Sequence, residues 1–364
     1  MQTTPLLTNI EYERRLRVGL IGCGSHAYRN ILPSFQSAPV ELVALCDLDE
    51  ERARQCARVF GAARVYTDYR MMLERETLDA VFVVTPPDEA GRPRYPAIAC
   101  DAMQAGVHVW IEKPPAASTE EVRAMQNVEA QTGKFVGVGF KKMFAPANVK
   151  AKEFSQSAEF GRVTSISARY PQDLPARDER SDSRKMAGFL DHIVHPYSVL
   201  RLLGGDIESL CFERCAHNGA SVSTLKFSSG ALGSLLLCAG QSGLAPLERT
   251  EIVGEGANVE VENNLRVTFY RAGRPRGGYG RSPSWYDIEG EAPLFFEPEF
   301  SLGNLHNKGL FLLGYAPEII AFCQAVLENQ APSKGNLSDA LALLQIYEAY
   351  QGGREGEPIR ISKT

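Results

Sequence analysis

Short continuous apolar runs alternate with helical patterns from Arg17 to Phe140. RVGLIGCG, ELVALCDLD, DAVFVVTPP, HVWIEKPP and FVGVGF read as strands. Between them ILPSFQSA, ERARQCARVF, PAIACDAMQAG and EEVRAMQNVEAQTG read as helices. Strand–helix alternation implies right-handed crossovers and a doubly wound parallel sheet. The near-absence of polar residues inside the runs agrees, because such strands are covered on both faces.

The pattern changes near residue 145. A helix around ANVKAKEFSQS leads to the strand VTSISARY, a charged loop from Gln172 to Lys185, and a helix over about Ala187 to Leu203. Strand-like runs then crowd together: IESLCFERC, SVSTLKFS, ALGSLLLCAG, RTEIVGEG, ANVEVEN and RVTFYR. GANVEVENNLRV has turn residues at both ends and predicts a hairpin. The helical patterns PEIIAFCQAVLEN and SDALALLQIYEAY close the chain. Strands gathered together with helices set apart predict an α+β domain with a large, mostly antiparallel open sheet. The expected division is therefore 1–145, an α/β domain, and 146–364, an α+β domain.

Composition narrows the function classes. With a net charge of −5 the chain has no basic footprint for nucleic acid or anionic membranes. It has no run of roughly 18 apolar residues for a membrane span and no apolar leader in its first residues. Eight cysteines are scattered without a CxxC pair, so a reducing, cytoplasmic setting is expected rather than a disulfide framework. Cys23, Cys46, Cys100, Cys238 and Cys323 lie in apolar segments and read as small core residues.

Gly22-Cys23-Gly24-Ser25-His26-Ala27 fits G-x-G-x-x-[G/A], directly after a strand and at the start of a helix. Gly22 would permit a tight turn, Gly24 would let a pyrophosphate approach, and Ala27 would allow close helix–strand packing. With Ser25 and His26 this segment would offer backbone N–H groups to phosphates. Asp47 ends the second strand and would accept from ribose hydroxyls while repelling a 2′-phosphate, which favours NAD over NADP. It could equally be a strand-end cap. Thr85 and Pro86 end the strand VFVVTPP at the sheet edge where ligands bind, either bordering a nicotinamide or stiffening a loop.

Glu112-Lys113-Pro114 ends the next strand. A lysine at that edge can take or hold the proton of a substrate hydroxyl, or be a solvated charge. Further on, Asp191 and His195 stand at i and i+4 and share one helix face, either as an acid–base pair or as a capped core histidine. His192 and His195 could suggest metal ligands, but no further ligand cluster accompanies them and no metal is expected.

Taken together, GCGSHA, the TPP turn, HVWIEKP, GFKKMFAP and GFLDHIVH resemble, in order and spacing over nearly the whole chain, the Gfo/Idh/MocA oxidoreductases. The resemblance implies a Rossmann domain followed by an α+β domain whose open sheet builds homodimers or homotetramers. It implies that Lys113, Asp191 and His195 form the site against the nicotinamide. Lys113 and His195 would share hydroxyl binding and proton transfer, Asp191 would orient the site, and the Lys113–Pro114 bond would be cis. Ile193 stands where the family usually has glycine, Lys141-Lys142-Met143-Phe144-Ala145-Pro146 replaces an Arg-rich segment, and Ser198 replaces a common acid.

Substrate contacts are expected from Lys142, Arg169, Tyr170 and His192, with Arg184, Lys185, Tyr279, Trp285 and Tyr286 as further candidates. The implied activity is NAD-dependent hydride transfer at a secondary hydroxyl of a sugar, glycoside or polyol, with C3 oxidation of a glycoside foremost. The alternatives are a same-fold enzyme acting on an imine or dihydrodiol, and a non-catalytic dinucleotide sensor.

Overall fold

The computed structural model describes residues 12–272, 292–298 and 308–362. The chain separates into two units, Met1–Lys141 with Gly314–Ala340, and Lys142–Leu313 with Leu341–Thr364.

In the first unit, β1 (Leu16–Ile21), β2 (Val40–Cys46), β3 (Arg64–Tyr66), β4 (Ala80–Val83), β5 (His108–Ile111) and β6 (Val136–Val138) form a parallel sheet in the order β3-β2-β1-β4-β5-β6. This is the doubly wound order, with its switch point between β1 and β4. The segment after β1 is irregular: Ala27–Ile31 winds as a wide π turn, α1 (Leu32–Ser34) follows, and Phe35–Ser37 tightens to 3₁₀. The remaining crossovers use α2 (Glu50–Phe60), α3 (Tyr69–Arg75), α4 (Tyr95–Gln104) and α5 (Thr119–Thr132). The caps are sequence-encoded. The Asp49 side chain accepts from the Arg52 N–H at the start of α2, and Ser118 accepts from the Glu121 N–H at the start of α5. The short β3 and α3 were not expected, since Arg64–Tyr66 is partly exposed and carries no apolar run.

The second unit holds α6 (Pro146–Ser155), β7 (Ser165–Tyr170), α7 (Ser183–Gly204), β8 (Ile207–Arg214), β9 (Ser221–Phe227), β10 (Leu232–Leu237), β11 (Arg249–Val253), β12 (Asn258–Glu262), β13 (Arg266–Tyr270), β14 (Leu294–Phe296) and α8 (Lys308–Leu312). Its nine-stranded sheet runs β14-β13-β12-β11-β7-β10-β9-β8-β15, where β15 is Ile359–Arg360. Among the described residues, only β7 and β10 pair in parallel. Burial alternates residue by residue along β9, so one face is packed and the other open. The expected hairpin joins β12 and β13 through Asn263 and Asn264, at φ 50° and 56°, in the doubly left-handed turn that asparagine tolerates.

The expected second domain loses a segment. α9 (Tyr315–Glu328) and the start of α10 (Leu337–Gly352) belong to the first unit. Phe322 on α9 lies edge-on to Phe82 at 5.6 Å and Phe135 at 6.3 Å, and the Val138 N–H donates to the Gly335 carbonyl at 2.7 Å. An apolar helix late in the chain thus covers a sheet made at its beginning, which helical periodicity cannot reveal. All eight cysteines are free. Cys23, Cys46 and Cys323 are buried as expected, but Cys100 and Cys238 are only half-buried, whereas Cys56, on the inward face of α2, is buried.

Candidate functional site

The glycine turn sits at the carboxyl end of β1. Gly22 has φ +98° and its N–H donates to the Cys46 carbonyl at 2.7 Å. A β-carbon at Gly24 would meet nothing within 4 Å, so the backbone there faces open space. Ala27 is fully buried against the sheet. Asp47 reaches back across the turn: its Oδ2 accepts from the Cys23 N–H at 2.7 Å and its Oδ1 from the Asp49 N–H at 2.9 Å. The structural role of Asp47 is therefore present, and its carboxylate still has lone pairs for ribose hydroxyls. Arg52 approaches Asp47 at 3.4 Å and Asp49 at 3.3 Å, a proximity the sequence spacing did not suggest.

Thr85 follows β4, across the switch point from the glycine turn. Its Oγ1 is buried without a hydrogen-bond partner, while its carbonyl accepts from the Tyr95 hydroxyl at 3.0 Å. Pro86 is exposed beside it. An unpartnered buried hydroxyl, an open glycine backbone and a carboxylate at the end of β2 together fit a dinucleotide with its pyrophosphate at the turn. Gly22, Gly24, Ser25 and Asp47 would hold it, with Thr85 beyond.

Glu112 and Lys113 follow β5, and the Lys113–Pro114 bond is cis. Glu112 is buried. Its Oε1 lies 2.7 Å from His26 Nε2, and its Oε2 accepts from the Lys113 N–H at 3.0 Å. The His26 ring is thus turned towards Glu112. Behind this pair, Lys141 Nζ bonds the Tyr315 hydroxyl at 2.8 Å. Glu318 is buried with neither carboxyl oxygen hydrogen-bonded, and burial, reinforced by the Glu112 charge, pushes its carboxyl well above the ordinary range. Sequence reading missed Tyr315 and Glu318, which lie in a plain apolar helical pattern.

The second unit gathers another group. Lys142, Arg169, Tyr170, His195, Glu248 and Asn264 line one small cleft. Lys142 is buried, ion-paired with Glu248, and its Nζ lies 4.5 Å from the Tyr170 ring centroid. Arg169 Nε is buried without a hydrogen-bond partner. Desolvation holds the Tyr170 phenol protonated well beyond its ordinary value of 10.0. Asp191 and His195 fall one turn apart on α7, with His195 buried and its carbonyl accepting from the Ser198 hydroxyl at 2.8 Å. Pro196 follows within the helix and has no N–H for the His192 carbonyl. His192 is exposed, its Nδ1 at 3.0 Å from the Gly188 carbonyl and 3.6 Å from Asp191 Oδ2, and it is not among the cleft-lining residues. Arg184 and Lys185 are exposed at the start of α7. Tyr279, Trp285 and Tyr286 lie outside the described residues. Among those described, no group of three His, Cys, Asp or Glu could hold a metal, and no helix is long and apolar enough to cross a membrane.

Family models match both halves of the chain. Residues 16–140 match the model described as an oxidoreductase family with an NAD-binding Rossmann fold, and residues 148–260 match the GFO/IDH/MocA C-terminal domain. A 1-carboxy-3-chloro-3,4-dihydroxycyclohexa-1,5-diene dehydrogenase of Comamonas testosteroni is 29% identical over 66% of this chain and 61% of its own length. A dTDP-3,4-didehydro-2,6-dideoxy-alpha-D-glucose 3-reductase of Actinomadura kijaniata is 25% identical over 93% of this chain and 95% of its own. A dehydrogenase of Chromobacterium violaceum, solved by crystallography, superposes with a TM-score of 0.75 at 26% identity, covering 93% of this chain and 94% of that one.

Proposed function

The chain belongs to the Gfo/Idh/MocA oxidoreductases, and on that footing we propose that it is an NAD-dependent dehydrogenase acting on a secondary hydroxyl or ketone of a sugar, glycoside or polyol. The observation that carries the reading is Glu112-Lys113-Pro114 at the carboxyl end of β5, two strands from the glycine turn of the same sheet. NAD, when bound, supplies the hydride acceptor for the carbinol carbon. Lys113 holds the substrate hydroxyl and, as the free amine, takes its proton; in the reverse direction the ammonium returns it. His195 is the second proton-transfer candidate and Asp191 its orienting carboxylate. Lys142, Arg169 and Tyr170 contact substrate in the second unit.

Within this class we favour oxidation at C3 of a glycoside. The similarity to a dTDP-sugar 3-reductase over nearly the whole chain supports that position. The similarity to a cyclohexadiene-diol dehydrogenase supports a second reading, a cyclic diol substrate. Eight free cysteines support a reducing, cytoplasmic compartment. Val222 and Leu236, paired neighbours on the open face of the sheet and both exposed, support assembly of copies through that face.

The test is NADH formation at 340 nm with NAD or NADP against a panel of sugars, glycosides, inositols and cyclic diols. Turnover of a glycoside with release of the 3-keto product is expected, and diol turnover alone selects the second reading. Lys113→Ala is expected to lose about 10²–10⁴-fold in turnover while binding NAD. Wild-type turnover in that variant removes Lys113 from the chemistry.

A further inference from the structure

We propose that His26 is a positioning residue for Lys113, acting through Glu112; the inference rests on the proposed role of Lys113. Glu112 is buried, so its carboxylate requires donors. One oxygen has the His26 Nε2 at 2.7 Å and the other accepts the Lys113 backbone N–H at 3.0 Å. His26 is itself fixed. Asn30, one turn on, places its Nδ2 3.1 Å from His26 Nδ1, and the Tyr315 ring stands edge-on at 5.6 Å. An amide N–H can only donate, so Nδ1 is the acceptor and Nε2 carries the hydrogen that binds Glu112. Asn30, His26, Glu112 and the Lys113 backbone therefore form one directed chain of hydrogen bonds.

The surroundings leave the carboxylate little freedom. A β-carbon at Gly139 would lie 3.3 Å from Glu112 Oε2, so the glycine there makes room for that oxygen. Among the described residues, Tyr315 and Glu318 on α9 feel the Glu112 charge, and Lys141 lies beside them. Burial, with the Glu112 charge behind it, pushes both the Tyr315 phenol and the Glu318 carboxyl up, and the Lys141 Nζ is bonded to the Tyr315 hydroxyl. His26 is the donor on the glycine-turn side, and its side chain is 39% exposed whereas that of Glu112 is 6%. The residue thus ties the turn that would seat the dinucleotide to the strand end that carries Lys113. Nothing in the glycine motif itself calls for histidine at this place.

The experiment follows the Lys113 backbone amide in ¹⁵N-lysine-labelled full-length protein without ligand, in wild type, His26→Phe and His26→Gln. Phenylalanine keeps a ring against Tyr315 but cannot donate; glutamine can. Amide exchange at Lys113 is expected to accelerate about tenfold in His26→Phe, as one charge-assisted hydrogen bond is lost, and to return towards wild type in His26→Gln. With any compound the wild type turns over, kcat is expected to fall about tenfold or more in His26→Phe, with the NAD Kd within about threefold of wild type. An unchanged Lys113 amide in a folded His26→Phe overturns the proposal. So does a raised NAD Kd with unchanged kcat at saturation, which makes His26 a cofactor contact only. If His26→Phe does not fold, ¹⁵N shifts of the wild-type imidazole decide: a hydrogen on Nδ1 rather than Nε2 overturns the directed chain. A wild type silent on every compound counts against the proposed substrate class and leaves the amide result standing.

Discussion

A β-carbon on Gly22 would lie 2.2 Å from the carbonyl oxygen of Val84, so β1 and β4 approach at the switch point as only glycine allows. The φ of +98° adds a second reason, since side chains rarely adopt it. Gly22→Ala must displace backbone at the place where a dinucleotide would bind. We expect NAD affinity to fall by at least about tenfold and the melting temperature to drop by about 2–4 °C for each kcal/mol of strain. Calorimetric titration with NAD and a thermal scan check both, and unaltered affinity would mean the turn is not the dinucleotide seat.

Glu318 ionises with difficulty because it is buried and because Glu112 is near, and the Lys141 charge offsets these only in part. Its folded value lies above the ordinary 4.5, so at pH values between the two the native state holds a proton that the unfolded chain has released. Stability must fall as pH rises through that window. Glu318→Gln keeps the shape and removes the ionisation. The variant should melt higher than wild type at pH 8, with the gain shrinking towards pH 5. Parallel melting curves across that range would contradict the assignment.

His108 works in the opposite direction. It is buried beside Phe135, whose N–H donates to its Nδ1 at 3.3 Å. Burial first, and the Lys134 charge second, push its value down from 6.5 to about 4, against the pull of Asp79. Below pH 6.5 the unfolded chain takes up a proton that the native state refuses, so stability is full above that pH and is lost as pH falls towards 4. The loss reaches about 3 kcal/mol at 1.36 kcal/mol per pH unit. Urea titrations at pH 7 and pH 4.5 should show a smaller pH effect in His108→Gln than in wild type. An equal effect in both would place the acid sensitivity elsewhere.

Arg180 is a fully buried cation in the charged loop before α7. It donates to Glu355 at 2.6 Å and to the Pro175 carbonyl at 3.0 Å, and it lies 5.2 Å from the Phe212 ring centroid. Arg180→Ala leaves Glu355 without this partner and opens a cavity, at a cost of about 2–5 kcal/mol. Urea denaturation should register that loss in full while NAD affinity stays as in wild type. A change below about 1 kcal/mol would show that the loop is held by other contacts.

The sequence by itself determined the parts that depend on local spacing. Apolar runs ending at Ile21, Cys46, Val83, Ile111 and Val138 specify a parallel sheet, because strands covered on both faces need such runs. The glycine at position 22 marks a turn that only glycine can make, and the Asn263–Asn264 pair marks a hairpin. The placing of Lys113 at a strand end followed from the same alternation. Tertiary structure alone decided which distant groups meet. Glu112 finds His26 at a separation of 86 residues, Arg180 finds Glu355 at 175, and Phe322 returns to cover Phe82. It also left Glu318 without a partner inside an ordinary helical pattern and put Arg52 against Asp47. Periodicity records which face of an element is buried, but not against what. A side chain's partner, protonation state and charge are set by packing between elements far apart in the chain, and no local pattern carries that information.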